Sequence, residues 1–488
     1  MTAAARRELP PLPDLSTLRH VHIIGVCGTA MGTLAAMLAD RGYVVSGSDA
    51  MAYPPMSTWL EGKGLVIQSG YDGAHIPANT ELVVVGNVSR SNNPEAVETI
   101  ARRLPYLSLP EALRVLFFPT RRCLVATGTH GKTTTSAMTA SLLHGAALDP
   151  SFFIGGVTVE FDGNYRLGTG DHFVVEGDEY DTAYFDKVPK FWHYPAVAAT
   201  INNIEFDHVD IYPTLADVTH VFDRFAAQLP KNGTLWVNGD DERAMACAQN
   251  ATATVRTFGL AASREGARHS LCAIIDGLDD AGTHFTLLEE GVIIGESVLP
   301  MVGAFNVRNA LGAAGLALSA GVALGTSAEL LPSYRGVKKR QELKGVVGGV
   351  TVIDDFAHHP SAVRETVEAL KARYKTGKLV VAFEAKSNTS RRAVFQDAYP
   401  ESFAAADIVV LSRPWKKDTL PESELLSIEQ LADDIRARGP EVHLIPSVDE
   451  IVTVVTPILR KGDVFAGLSG AAFGGLHDKV LAALRRSE

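Results

Sequence analysis

Gly131, Lys132 and Thr133 stand between a short apolar run, Cys123 to Ala126, and a helix-permissive run to Leu143. A strand, a glycine loop and a helix start bring backbone N–H groups and the positive end of the helix dipole to one point, where a phosphate is stabilised. Lys132 has the reach for the β- and γ-phosphates of a nucleotide, and the Thr133 hydroxyl suits Mg²⁺. The usual phosphate-loop pattern has glycine where Ala126 stands. The N–H cradle itself, Gly128-Thr129-His130-Gly131-Lys132-Thr133-Thr134, lies beyond that position, so the chemistry survives the change. Two further runs point the same way. Glu176-Gly-Asp178-Glu179-Tyr-Asp181 follows the apolar run His172 to Val175; it reads as a Mg²⁺ site beside nucleoside triphosphate or as a solvated acidic loop. Ala196 to Ile201 ends in Asn202 to His208, where Asp207-His208 is a metal ligand set or a helix cap with a surface histidine.

These groups need a scaffold that delivers them to one edge, and the alternation of apolar strands with helical runs supplies it. Val21 to Val26 leads through Gly25, Gly28 and Gly32 to a helix, Thr33 to Arg41, and to a second strand ending at Asp49. The spacing allows a nucleotide-binding turn or close helix–strand packing. A third strand, Leu82 to Val85, ends near Asn87. Pro105 to Pro119 marks the first boundary, and the basic turn Tyr334 to Glu342 marks the second. Between them, Val255 to Leu299 reads as a β-rich excursion. Asn306 and Asn309 share one face of a helix reaching Ala320, where asparagines are usually caps. After the second boundary, strands are expected at 350–354, 378–383, 407–411, 441–445 and 463–467. The fold class is α/β in three domains: a Rossmann-like domain over 1–117, a central phosphate-loop domain with a parallel sheet over 118–331, and a second Rossmann-like domain over 332–488.

A chain of 488 residues is long enough for three cores. Its formal net charge of −11 argues against nucleic acid or an anionic membrane as partner. Four cysteines without paired spacing, prolines where a signal peptide would be apolar, and no run long enough to span a bilayer lead to a cytoplasmic expectation.

Taken together, Gly128 to Thr134, Glu176-x-Asp178-Glu179, Asn203 to His208, Asn306-x-x-Asn309, Arg340-x-Glu342 and Asp355-x-x-His358-x-Pro360 resemble the Mur ligase family. These are ATP-dependent amide-forming enzymes of peptidoglycan synthesis, and the resemblance runs from about Val21 to Leu484. Asp49 to Thr58 (with Tyr53), Asp178 to Lys187 and Ser387 to Arg392 resemble one branch in particular. That branch joins recycled L-alanyl-γ-D-glutamyl-meso-diaminopimelate to UDP-N-acetylmuramate; a sister branch adds free L-alanine instead.

The resemblance implies ATP and Mg²⁺ as cofactors, with Lys132 on the transferring phosphoryl group. It implies Thr133 and Glu176 on one metal and Glu176 with His208 on a second. Asn306 and Asn309 would hold adenine, Arg340 a phosphate and Asp355 the ribose, while His358 orients the amine or steadies phosphate. Gly28, Thr29, Met31, Gly32, Asp49 and Asn87 would take the UDP-sugar, and Lys386, Ser387, Asn388 and Arg391 the peptide. Three departures stand out: Phe305 where histidine is frequent, Lys386 where arginine is usual, and no lysine between Lys190 and Lys231 to be carbamylated. Lysine at 386 exchanges a bidentate fork for a point charge.

Overall fold

The computed structural model describes residues 10–52, 56–412 and 420–487. Tyr53, which falls in the Asp49–Thr58 stretch, lies outside them, as do the first nine residues. Three sheets organise the chain. The first is five-stranded and parallel, with Val66–Ser69, Val44–Asp49, His20–Ile24, Leu82–Val85 and Tyr106–Ser108 side by side. The helix after its first strand, Thr29–Asp40, starts at Thr29 rather than Thr33, with Gly28 as its N-cap. Pro105 to Pro119 is not a bare linker: it forms the strand Tyr106–Ser108 and the helix Leu109–Leu116, whose Ser108–Glu111 capping box accommodates Pro110 in the first turn.

The second sheet has ten strands. At its centre Arg122–Thr127 lies between Ala196–Ile201 and His172–Glu176, all parallel. The three strands whose polar carboxyl ends were picked out in the sequence are therefore immediate neighbours, and their ends share one edge. Leu271–Asp279, Gly282–Glu289 and Val292–Leu299 continue this sheet as an antiparallel meander, which is the β-rich excursion. The third sheet has six strands. It contains the five expected, Val350–Asp355, Leu379–Glu384, Ile408–Ser412, Glu441–Ile445 and Val464–Ser469, and one more, Glu342–Val347, that the basic-turn reading missed. That strand is an antiparallel edge with Leu343 and Val346 exposed, so its burial alternation is weak in the sequence.

One apolar core runs unbroken from the first domain into one face of the central sheet, with Phe118 stacked edge-on against Phe173 and Tyr194 at the junction. Side-chain bonds reinforce this seam, Asn164 Nδ2 donating to Thr33 Oγ1 at 2.6 Å and Tyr165 Oη to Asp40 Oδ2 at 2.7 Å. The third domain has its own core on each face of its sheet. No described helix is long and apolar enough to cross a membrane.

Candidate active site

A cavity of ≈ 350 Å³ lies between the central and C-terminal domains. Thr129 to Thr134, Glu176, Asp178, His208, Asn306, Asn309, Arg340, Asp355 and His358 all line it. The loop at its floor turns through Gly128 and Gly131, both at positive φ, and the helix Lys132–Gly145 starts at Gly131 without a side-chain cap. Its first N–H groups are thus left for a ligand. The loop is tied to the neighbouring strand end, since Thr129 N–H donates to Asn203 O at 2.9 Å and His130 N–H to Asn203 Oδ1 at 2.7 Å.

Gly131 admits no larger residue. Its φ is +82°, and a Cβ there would stand 2.1 Å from Asn309 Oδ1. Gly131→Ala is expected to weaken ATP binding by at least on the order of 10-fold, from left-handed strain alone. Calorimetric titration with a non-hydrolysable ATP analogue checks this, and an unchanged Kd would show that the loop tolerates a side chain.

Lys132 is gripped from three sides. Its Nζ donates to Gly128 O at 2.8 Å and Thr129 O at 2.9 Å, and pairs with Glu179 Oε2 at 2.8 Å. Burial works against its charge, but Glu179, Asp178 and Glu176 outweigh it and raise its pKa. Glu179, 1% exposed, also faces His208 Nε2 at 3.3 Å through its other oxygen. Burial opposes the imidazolium too, yet Glu179, Asp207 and Asp178 lift His208 to about 9.

Sequence reasoning put Glu176 with His208; the structure pairs His208 with Glu179, while Glu176 Oε2 accepts Gly155 N–H at 2.8 Å. Glu176 lines the cavity, and Glu179 is held beneath it by Lys132, which follows a neighbouring strand.

The donor set fits a divalent cation. Asp178, Glu179 and His208 offer atoms within 4.8 Å of one another, and Glu176 and Thr133 line the same cavity. Carboxylate and hydroxyl oxygens with one imidazole suit Mg²⁺ or Mn²⁺. Lys132 and His208 face the acids that such an ion would share.

Across the cavity, Arg340 Nη2 approaches Thr133 Oγ1 at 3.4 Å while its guanidinium lies 4.9 Å from the centre of the Phe356 ring. A phosphate bound at Thr133 would meet it. His358 Nδ1 donates to Phe356 O at 2.9 Å, and burial lowers its pKa, leaving a neutral ring with Nε2 as the acceptor. His359 was not among the candidates, yet it bridges the domains. Its Nε2 donates to Phe206 O at 3.1 Å and its Nδ1 accepts Ser361 N–H at 3.4 Å, while the nearby Glu205 Oε2 accepts from His130 Nε2 at 3.0 Å.

Several candidates are occupied by the protein itself. Asn306 Nδ2 donates to Val302 O at 2.8 Å and its Oδ1 accepts from Asn309 Nδ2 at 3.3 Å. Asp355 accepts Gln341 N–H and Ala357 N–H, both at 2.7 Å, so its carboxylate shapes the turn before any ribose arrives.

Models of three consecutive domains match the chain: the Mur ligase family catalytic domain over 20–117, the Mur ligase middle domain over 126–317, and the Mur ligase glutamate ligase domain over 339–468. The UDP-N-acetylmuramate–L-alanyl-γ-D-glutamyl-meso-2,6-diaminoheptandioate ligase of Escherichia coli is 34% identical, covering 96% of this chain and 98% of that one. A UDP-N-acetylmuramate–L-alanine ligase of Burkholderia cenocepacia is 31% identical over 95% and 98% of the two chains. The solved murein peptide ligase of Psychrobacter arcticus is 31% identical and superposes with a TM-score of 0.69 over 96% of this chain and 98% of its own. The chain belongs to the Mur ligase family.

As a family member it is an ATP-dependent amide-bond-forming ligase. The remaining candidates lie outside the cavity lining. Gly28 and Thr29 are exposed at the helix start, while Asn87 follows the neighbouring strand Leu82–Val85. Asp49 Oδ2 accepts Cys27 N–H at 2.9 Å, which stiffens the glycine turn. Gly32 serves packing, because a Cβ there would meet Met56 Sδ at 2.6 Å, and Met31 packs over Gly86. Lys386, Ser387, Asn388 and Arg391 sit on a C-terminal turn after the strand Leu379–Glu384, where Lys386 Nζ lies 3.6 Å from Glu384 Oε1.

Proposed function

We propose that this ligase joins the amine of L-alanyl-γ-D-glutamyl-meso-diaminopimelate to the lactyl carboxylate of UDP-N-acetylmuramate, in the cytoplasm, with cleavage of ATP to ADP and phosphate. The observation that carries this reading is the likeness over nearly the whole chain to ligases named for that tripeptide, from Escherichia coli and Haemophilus influenzae, at 34% and 33% identity. The cationic turn Lys386–Arg392 supports it, since an acidic tripeptide needs local positive charge in a chain of net charge −11. Four cysteines present as thiols accord with a reducing compartment.

In this reading the lactyl carboxylate attacks the γ-phosphorus of ATP, forming an acyl phosphate and releasing ADP. The amine then attacks the acyl carbon, and phosphate departs from the tetrahedral intermediate. Both first reactants are anions, so their approach requires concentrated positive charge. Lys132 and the N–H groups after Gly131 provide it on one side and Arg340 on the other. A divalent cation held by Thr133, Glu176 and the Asp178–Glu179–His208 set would supply further neutralisation of phosphate charge. His358, neutral and with Nε2 as acceptor, is suited to take the proton that the attacking amine sheds. Gly28, Thr29, Asp49 and Asn87, at the carboxyl edge of the first sheet, would hold the UDP portion.

The L-alanine-adding reaction is the second reading, favoured by the 31% identity to the Burkholderia ligase. Phosphate release measured with UDP-N-acetylmuramate and either amine separates the two. The tripeptide is expected to give kcat/KM higher by on the order of 10²-fold, because a site built for its carboxylates leaves charges unpaired with L-alanine. Equal or better use of L-alanine would transfer the assignment to the second reading.

A further inference from the structure

The turn that carries His208 is gripped from the opposite domain. His208 has a φ of +52°, a left-handed conformation unfavourable to a residue with a Cβ. Within the turn its carbonyl accepts Ile211 and Tyr212 N–H at 2.8 and 2.9 Å, and its own N–H donates to Asp207 Oδ1 at 2.6 Å. Two successive residues of the C-terminal domain then close on the two ends of the turn. Thr389 Oγ1 donates to Asp207 Oδ1, and Asn388 Nδ2 donates to Asp210 Oδ2 at 3.1 Å. Asp207 and Thr389 are 4% and 2% exposed, so their bond is made away from water, where a hydroxyl on a carboxylate counts most. Tyr180 completes the contact: its Oη donates to Asp210 Oδ2, and its ring stands edge-on to the His208 imidazole at 5.1 Å.

The other side of Asn388 is fixed as well. Arg391 Nη2 donates to Asn388 Oδ1 at 2.9 Å, which leaves the amide NH₂ to face Asp210. Ser387 and Ser390 lock the same turn by reciprocal N–H to Oγ bonds, both 2.9 Å. The cationic turn assigned to the amine donor is therefore also the turn that holds the catalytic loop. A carboxylate that fixes the Arg391 guanidinium in this orientation holds its bond to Asn388 Oδ1, and through the Asn388 amide it reaches Asp210.

We infer that Asn388 and Thr389 form a two-point clamp through which a carboxylate-bearing amine donor, seated on the Lys386–Arg391 turn, positions His208 for phosphoryl transfer. This rests on the proposed assignment of that turn to the amine donor. Thr389 and Asp210 are positioning residues in it. The donor shifts the clamp only by binding the closed arrangement better than the open one, and the Arg391–Asn388–Asp210 chain of contacts gives it that difference.

The test compares Thr389→Val, Thr389→Ser and Asp210→Ala with the unaltered chain, reading kcat, the KM for the tripeptide, and ligated product per ADP. Thr389→Val is expected to lower kcat by on the order of 10-fold and to raise the tripeptide KM with it, because a donor that favours the closed arrangement binds less well when that arrangement is weakened. Product per ADP should fall below one, because a loosened site admits water to the acyl phosphate. Thr389→Ser keeps the hydroxyl and should restore both readouts. Asp210 is exposed, so Asp210→Ala leaves the core intact and should shift the same quantities by a smaller factor. A loss of folded protein would scale all rates together and leave product per ADP unchanged. A raised KM at unchanged kcat, or wild-type product per ADP in both the valine and alanine variants, overturns the clamp. Failure of the tripeptide reading shows in the unaltered chain itself, as ligation of L-alanine instead; the clamp then stands or falls by the same measurements with that amine.

Discussion

Lys132→Ala is expected to lower turnover by at least on the order of 10²-fold, measured as ADP release at saturating substrates. The ammonium is held charged beside Glu179 and stapled to two carbonyls of its own loop, so it is positioned before ATP arrives. A charge already placed where the transferring phosphoryl group gains negative charge costs no reorganisation during the reaction. The loss should therefore appear mainly in kcat. Lys132→Arg is expected to rescue little, because a planar fork cannot reproduce a compact cation that donates to Gly128 O, Thr129 O and Glu179 at once. Unfolding measured in parallel separates chemistry from folding, since removal of Lys132 also strips buried Glu179 of one of its two cations. Wild-type turnover in a folded Lys132→Ala enzyme would remove the phosphate loop from the mechanism.

Glu179→Ala carries the largest expected effect on stability. Glu179 is the buried acid between Lys132 and His208, at 2.8 and 3.3 Å. Deleting it leaves two cations facing each other in a place poor in water, a loss of about 3–5 kcal/mol for one partner removed from a buried ion pair. The midpoint of urea unfolding should fall accordingly. Glu179→Gln keeps the shape and loses the charge, so its loss should be smaller but of the same sign. His208, which Glu179 helps to lift to about 9, should also become easier to deprotonate, and histidine NMR titration reads that shift directly. A Glu179→Ala enzyme that unfolds at the wild-type urea concentration would mean that the acid contributes no more than one on a solvated loop.

Both predictions concern residues visible in the sequence whose relation is not. The phosphate loop was legible because strand, glycine turn and helix start are set by local spacing and backbone conformation. Positive φ at Gly128 and Gly131 is a property of neighbouring residues, and so is the helix that begins at Lys132. The three neighbouring strand ends at Thr127, Glu176 and Ile201 were legible for a similar reason, since parallel sheets expose polar residues where apolar runs stop. The edge strand Glu342–Val347 escaped because one exposed side erases the alternation that marks a buried strand.

What the amino-acid order by itself determined was the order of elements, the three α/β domains, and the stretches in which chemistry is concentrated. The tertiary structure alone decided how those stretches pair. It turned Glu179 toward His208, brought Asn309 Oδ1 to Thr135 and Asn202, tied His359 to Phe206, and put Asn388 and Thr389 on the turn of His208. The physical reason is range. Backbone conformation and burial periodicity act over a few residues and leave their trace in the sequence, whereas an ion pair or a buried hydrogen bond between distant segments depends on which partner the fold brings within about 3 Å.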